Sequence, residues 1–179
     1  MTTHGGWIVA GAPTDPAVTM GPVIRDHERQ RVERLVEAGR SEGAEIVFGG
    51  GRPADLDKGF FLNPALFTGV KDTMTLAQRE VFGPVGVVLA FAEETEAVRI
   101  ANNTDYGLNT AVFTDDVHRA FRIAKQVRSG VVNINSTVGY NPNAPFGGYK
   151  SSGIGREGGQ FGMDEFLEKK FVSWPAGRS

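Results

Sequence analysis

The glycine-rich stretch SSGIGREGG (151–159) has the spacing of a phosphate-binding turn. Gly153, Gly155 and Gly158 match G-x-G-x-x-G, a pattern found in turns that bind dinucleotides. Such a turn needs a preceding strand, a helix that opens at the third glycine, and an acidic residue about 20 positions later. Here PFGGYKSS is typical of a loop, GQFGMDEF allows only a short helix, and the sequence stops at Ser179. We therefore interpret the match as an accident of a glycine-rich loop.

The other side chains that could do chemistry form no motif by their spacing. His4, His27 and His118 are scattered and lack metal-ligand spacing, so no metal site is predicted. Glu157 is an isolated carboxylate within the glycine-rich loop. Taken alone, Glu80 of EVFGP is interpreted as a turn residue that faces water.

The sequence contains no cysteine, which excludes a disulfide, a thiolate metal site and a cysteine nucleophile within these residues. Asn133 and Asn135 end an otherwise apolar segment. We interpret both as caps of loop backbone rather than as substrate contacts.

Composition indicates an ordinary soluble globular protein, with 179 residues, 40% hydrophobic and 22% charged residues, and a net charge of −2. There is no Lys/Arg cluster, so nucleic acid is not an expected partner. The longest nearly apolar run, 81–92, is too short to span a bilayer, and the first residues lack the features of a secretory signal. We expect a cytoplasmic protein that does not bind membranes.

A regular alternation of strands and helices begins at residue 85. Strands are predicted at 85–91, 109–114 and 130–135, with helices at 95–103 and 115–128 between them. This β-α-β-α-β order predicts an α/β fold with an open twisted parallel sheet, right-handed crossovers and flanking helices. Ligands bind outside the carboxyl ends of such strands, and the long loop 136–159 leaves one of those ends.

The segments on either side are less regular. Residues 1–22 are predicted to form an extended or loop segment. They are followed by a helix from Asp26 to about Arg40, with an inner stripe of Val32, Leu35, Val36 and Gly39, a short strand at 44–48 and a helical turn within 73–80. The segment 60–70, interrupted by Pro64, is predicted to be two strand pieces or an edge strand. The tail 165–174 is either an edge strand of this domain or a strand that pairs with another subunit's sheet.

Six segments together resemble the C-terminal part of the NAD(P)-dependent aldehyde dehydrogenases. They are TMGPVI (19–24), EGAEIVFGG (42–50), REVFGPV (79–85), IANNTDYGLNTAVFT (100–114), SGVVNIN (129–135) and PFGGYKSSGIGREGG (145–159). The resemblance implies that 23–159 is a portion of the catalytic domain and that 160–179 is a short helix and an oligomerisation strand. It favours pairing of 165–174 with a neighbouring subunit.

The resemblance also implies roles for individual residues. Glu80 corresponds to the glutamate that accepts hydrogen bonds from the nicotinamide ribose, and Phe82 packs beside the nicotinamide. Phe146 lines the aldehyde tunnel, and Tyr140 occupies a tunnel position of more variable chemistry; together they suggest an apolar or aromatic aldehyde. Glu157 corresponds to a buried carboxylate proposed to relay protons.

Enzymes of this family use a cysteine thiolate as the nucleophile, and this sequence has none. We therefore expect the chain by itself to be inactive and to bind neither NAD nor NADP, the cofactors of the complete enzyme. One hypothesis is a portion of a dehydrogenase that works with an N-terminal half. The other is a non-catalytic oligomerisation module, which forms a homo-oligomer through 165–174 or joins full-length subunits.

Overall fold

The computed structural model describes residues 8–137, 139, 141–175 and 177. It contains two compact units, of which the first ends at Ile100 and the second begins at Ala101. The elements in chain order are α1 (Asp26–Ser41), β1 (Glu45–Phe48), β2 (Ala65–Thr68), α2 (Thr75–Gln78), β3 (Val85–Val87), α3 (Glu94–Asn102), β4 (Asn109–Val112), α4 (Val117–Ala124), β5 (Val131–Ile134), a 3-10 turn (Lys150–Ser152) and α5 (Gly159–Asp164).

The first unit contains a three-stranded sheet in the order β1-β2-β3. β2 runs antiparallel to β1 and parallel to β3, and the connection from β2 to β3 contains α2. The strand within 60–70, for which an edge position was one of the two predictions, is therefore β2, the central strand of this sheet. The proline does not prevent this, because Pro64 precedes β2 and the ladder begins with Ala65, whose N–H donates to the Pro84 carbonyl at 2.8 Å.

The core of the first unit lies between α1 and this sheet. The predicted inner stripe of α1 is confirmed, since Val32, Val36 and Gly39 are buried. They belong to a cluster centred on Phe67 of β2, which is 0% exposed. The expected buried strand at 85–91 is shorter and more exposed than predicted, because β3 forms an edge of this sheet.

The second unit contains a parallel pair, β4 and β5, connected by α4. The α/β class with parallel strands and flanking helices is confirmed. The expectation that one sheet holds all three strands from residue 85 onward is wrong, because β3 pairs with β2 and no pairing among the described strands joins β3 to β4. Periodicity predicts that a segment is a strand, but the choice of partner depends on contacts distant in sequence.

Helix α4 begins at a side-chain cap. The Asp116 carboxylate accepts hydrogen bonds from the backbone N–H groups of His118 and Arg119, at 2.9 and 3.1 Å. Ala120 is buried, as predicted for the inner face. However, Val117 and Phe121 on the same predicted face are each 57% exposed. The apolar face of α4 is thus wider than the surface that covers it in this unit.

The tail does not form a strand within this chain. Residues 167–175 belong to no helix or strand, and all of them are exposed. The edge-strand interpretation of 165–174 is therefore wrong for this chain, and pairing with another subunit remains a prediction. No helix in the described part of the chain has the length and apolar character needed to cross a membrane.

Replacement of Phe67 by alanine tests the core of the first unit. Phe67→Ala should lower the free energy of unfolding by about 3–5 kcal/mol, because a fully buried ring is replaced by a cavity. Urea unfolding followed by circular dichroism measures the loss. Val47→Ala on β1 is the control, since Val47 is half exposed and should cost about 0.5 kcal/mol or less. Equal losses in the two variants would show that this core is misplaced.

The cap of α4 should make the second unit sensitive to acid. The hydrogen bonds from the Arg119 and then the His118 backbone lower the pKa of Asp116. A carboxylate with a lowered pKa stabilises the fold above its unfolded pKa, and this stabilisation disappears as the pH falls through the folded value. Asp116→Asn, which keeps an acceptor but does not titrate, should reduce the loss of α4 in acid. Hydrogen exchange of α4 that depends on pH identically in both proteins would contradict this assignment.

Candidate functional site

The glycine-rich loop returns to the amino ends of β4 and β5. Tyr149 N–H donates to the Gly107 carbonyl at 2.8 Å, and Ser151 N–H donates to the Asp105 carbonyl at 2.8 Å. In the reverse direction, Gly107 N–H donates to the Ser152 hydroxyl at 2.9 Å. Residues 105–107 precede β4. This part of the loop therefore lies at the amino ends of the strands, opposite the carboxyl ends where the sequence predicted a ligand.

Lys150 fixes the loop by its side chain. Its Nζ donates to the carbonyl oxygens of Asn102 and Thr104, at 2.9 and 2.8 Å. Asn102 is the last residue of α3, where carbonyl groups lack helical partners and a positive charge is favourable. Lys150 itself has φ 54°, a conformation that non-glycine residues adopt only when neighbouring contacts hold them. No motif in the sequence predicts this role of Lys150.

Two residues that the resemblance singled out lie next to each other. Phe146 and Glu157 form an antiparallel bridge, with backbone hydrogen bonds of 2.7 and 2.8 Å. Both line an open groove of about 680 Å³, whose apolar walls include Leu108, Ile154 and Met163. Phe146 is half-buried, whereas Glu157 is exposed. The burial that the resemblance implies for this carboxylate in the complete enzyme stays a prediction, since in this unit the Glu157 side chain is exposed.

Arg156 stabilises the same loop and was missed from the sequence. Its guanidinium lies 5.2 Å from the centre of the Tyr149 ring and donates to the Gly148 carbonyl at 3.0 Å. Its backbone N–H donates to the Glu165 carboxylate at 3.2 Å. Arg156 stands between Gly155 and Glu157, seven residues after Tyr149, and this spacing alone does not predict the contact, which forms only when the loop folds back on itself.

The loop geometry also bears on whether the G-x-G-x-x-G match is a dinucleotide-binding turn. A 3-10 turn precedes Gly153, and no strand lies between Tyr149 and Gly158. The helix after Gly158, α5, has six residues. These observations agree with our interpretation that the glycines shape a loop and do not form a dinucleotide-binding turn.

The cofactor residues that the resemblance implies lie in the first unit, on the turn before β3. Glu80 is exposed, and Phe82 is 76% exposed with φ 48°. Arg31 of α1 donates to the carbonyl oxygens of Glu80 and Val81, at 2.9 and 2.6 Å. The turn therefore presents a carboxylate and an aromatic ring to solvent on a backbone that α1 holds.

At the carboxyl end of β5, the predicted capping role is confirmed for Asn135. Its Oδ1 accepts from Thr114 N–H at 2.9 Å and its Nδ2 donates to the Thr114 carbonyl at 3.0 Å. Asn133 donates instead to the side chain of Asn109, at 2.9 Å. Tyr140, the other predicted tunnel residue, lies outside the described residues.

Comparisons with known proteins identify the relatives of this chain. The sequence profile of the aldehyde dehydrogenase family matches residues 6–172. A protein from Staphylococcus saprophyticus is 41% identical over 167 residues, which is 93% of this chain and 35% of that protein. The chain therefore spans about a third of the length of the curated relatives it matches.

Solved structures give the same result. An aldehyde dehydrogenase of Mycobacterium tuberculosis, in complex with NAD+, is 45% identical with a TM-score of 0.90 over 96% of this chain and 35% of its own. A betaine aldehyde dehydrogenase of Staphylococcus aureus, also with NAD+, is 42% identical with a TM-score of 0.87 over 90% of this chain and 32% of its own.

The role of Lys150 can be tested by removing its charge. Lys150→Met should lower the free energy of unfolding by about 2 kcal/mol, because two carbonyl groups lose a charged donor. Urea unfolding measures the effect, with Lys169→Met on the exposed tail as the control. A Lys150→Met protein as stable as the control would refute the idea that this lysine holds the loop.

Proposed function

The chain belongs to the aldehyde dehydrogenase family, and we propose that it is the C-terminal portion of an NAD-dependent enzyme that oxidises aldehydes to carboxylates. The observation that carries this proposal is the match of residues 6–172 to the family, together with a TM-score of 0.90 to an enzyme that binds NAD+. Because the chain corresponds to about a third of such an enzyme, the rest of the active site comes from outside these residues.

The turn before β3 has the chemistry needed at the ribose end of the cofactor. An ionised Glu80 carboxylate has two oxygens that can accept from both hydroxyls of a cis-diol. Phe82 offers an exposed aromatic face to a flat ring. When bound, the nicotinamide supplies a hydride acceptor. We propose that this chain alone binds neither NAD nor NADP, since Glu80 and Phe82 contact only one end of the cofactor.

The groove of the second unit has the chemistry of a substrate wall. Phe146 and the apolar side chains beside it would exclude water from a bound aldehyde. The family resemblance implies that Tyr140 is a second residue of the aldehyde tunnel. This favours an apolar or aromatic aldehyde. Glu157 lies across the bridge from Phe146, and we propose that it passes a proton when the remaining part of the enzyme covers it.

The reaction itself requires a group that these residues do not contain. Thiolate attack on an aldehyde carbonyl needs a cysteine, and the sequence has none. We therefore propose that the chain is inactive alone and gains activity only with a partner segment that contributes the thiolate.

A grafted enzyme tests this function. The matched third of the M. tuberculosis enzyme is replaced by the 179 residues, and NAD+-dependent aldehyde oxidation is measured. The graft should be active. Glu80→Ala should raise KM for NAD+ about tenfold or more, because charge-assisted hydrogen bonds to the ribose are lost. Glu37→Ala, an exposed glutamate of α1, is the control.

A soluble but inactive graft would contradict the proposed function. An active graft whose KM for NAD+ is the same in the Glu80→Ala and Glu37→Ala variants would reject Glu80 as the ribose ligand, while leaving the family activity in place.

A second candidate function is a non-catalytic oligomerisation module. The favouring observation is the tail, where Phe166, Phe171 and Trp174 are each 87% exposed or more. Large exposed apolar side chains of this kind mark a surface that associates with another chain.

Removal of the tail tests the second function. The full chain should elute as an oligomer in size-exclusion chromatography, and a chain that ends at Asp164 should elute as a monomer because it lacks the exposed apolar residues of the tail. Phe171→Ser with Trp174→Ser in the full chain should have the same effect. A monomeric full chain that also captures no full-length dehydrogenase in a pull-down would exclude this function.

A further inference from the structure

Arg31 connects helix α1 to the turn that carries Glu80. Its Nη1 donates to the Glu80 carbonyl at 2.9 Å and its Nη2 to the Val81 carbonyl at 2.6 Å. A guanidinium is planar and has a fork of parallel donors, so it can hold two successive carbonyl groups in one orientation. Arg31 therefore fixes the direction of the backbone at the residue that bears the carboxylate.

The guanidinium is itself held in place. Its Nε donates to the Glu28 carboxylate at 2.9 Å, one turn earlier on the same helix. This hydrogen bond lowers the pKa of Glu28, with a smaller contribution from His27. Glu28 is thus ionised when Arg31 holds the turn, and the pair behaves as one unit anchored on α1.

The other end of the turn is held by packing. A Cβ atom at Gly83 would lie 2.6 Å from Cγ2 of Val32, so the backbone of the turn rests directly on α1. Between the two anchors, Phe82 has φ 48°, which a bulky residue adopts only when its surroundings impose it. The turn is thus restrained on both sides of its aromatic residue.

The Glu80 side chain remains available. It is exposed, and no hydrogen bond to its carboxylate is formed within the part of the chain that the structure describes. Its backbone is therefore fixed while its carboxylate is unoccupied, which is the arrangement of a preorganised ligand-binding group.

We propose that Arg31 is a positioning residue for the cofactor, and that its hold on the Glu80 and Val81 carbonyl groups directs the Glu80 carboxylate toward the nicotinamide ribose. This inference rests on the proposed function, in which Glu80 binds that ribose. Arg31 does not touch the cofactor; it acts through the backbone of the turn. A purely structural arginine would change the amount of folded enzyme but would leave the affinity of the folded enzyme for NAD+ unaltered.

The grafted enzyme separates these roles. Arg31→Met should raise KM for NAD+ about tenfold with kcat nearly unchanged, because a displaced carboxylate loses binding to ground and transition state alike. Arg31→Lys, which keeps the charge but not the fork, should give an intermediate KM. Arg34→Met, an exposed arginine on the same helix, should match the native graft. An Arg31→Met graft with the KM of the Arg34→Met graft would overturn the inference.

A second measurement uses the 179-residue chain itself. Arg31→Met should accelerate hydrogen exchange of the backbone amides of residues 80–83 and of Val85, whose N–H donates to the Gly83 carbonyl at 2.8 Å, by about fivefold, while α1 is protected as before. Unchanged exchange would overturn the inference whatever the graft does. An inactive native graft would instead overturn the proposed function and with it the ribose role, whereas an active graft with an unchanged KM would overturn the role of Arg31 alone.

Discussion

The second unit depends on contact between backbones at positions that have no side chain. A Cβ atom at Gly130 would overlap the carbonyl oxygen of Gly147, so only glycine lets the loop lie against the start of β5. This contact allows residues 149–152 to share hydrogen bonds with residues 105–107. The loop is thus attached at the amino ends of the two strands, and its aromatic and acidic side chains line the groove there.

In the first unit a side chain, rather than backbone contact, holds the corresponding loop in place. There a guanidinium on α1 holds two carbonyl groups of the turn before β3, and the turn exposes a carboxylate and a ring. In both units the backbone is fixed by these contacts, and the side chains of Glu80, Phe82 and Glu157 are exposed to solvent. A partial active site needs exposed side chains on a fixed backbone if the substrate, the cofactor and the nucleophile come from outside these residues.

Sequence patterns predicted the elements better than their arrangement. The spacing of Val32 and Val36 identified the buried face of α1, because helical burial follows a local period. The partner of β3 and the direction of the loop were not predictable in this way, since both depend on distant backbone contacts. Arg31 was missed for the same reason, because the carbonyl groups it binds are 49 and 50 residues away. Only the family resemblance implies cofactor roles for Glu80 and Phe82, because no local pattern distinguishes them from an ordinary turn.

The chain belongs to the aldehyde dehydrogenase family, and in the function that we propose these two fixed segments complete an active site whose thiolate is contributed by another segment. The most direct test is a crystal structure of the grafted enzyme with NAD+ bound. Our account predicts that both Glu80 carboxylate oxygens accept hydrogen bonds from the nicotinamide ribose hydroxyls at about 2.7 Å. A structure in which other residues bind those hydroxyls, with the Glu80 carboxylate beyond hydrogen-bond distance, would contradict it.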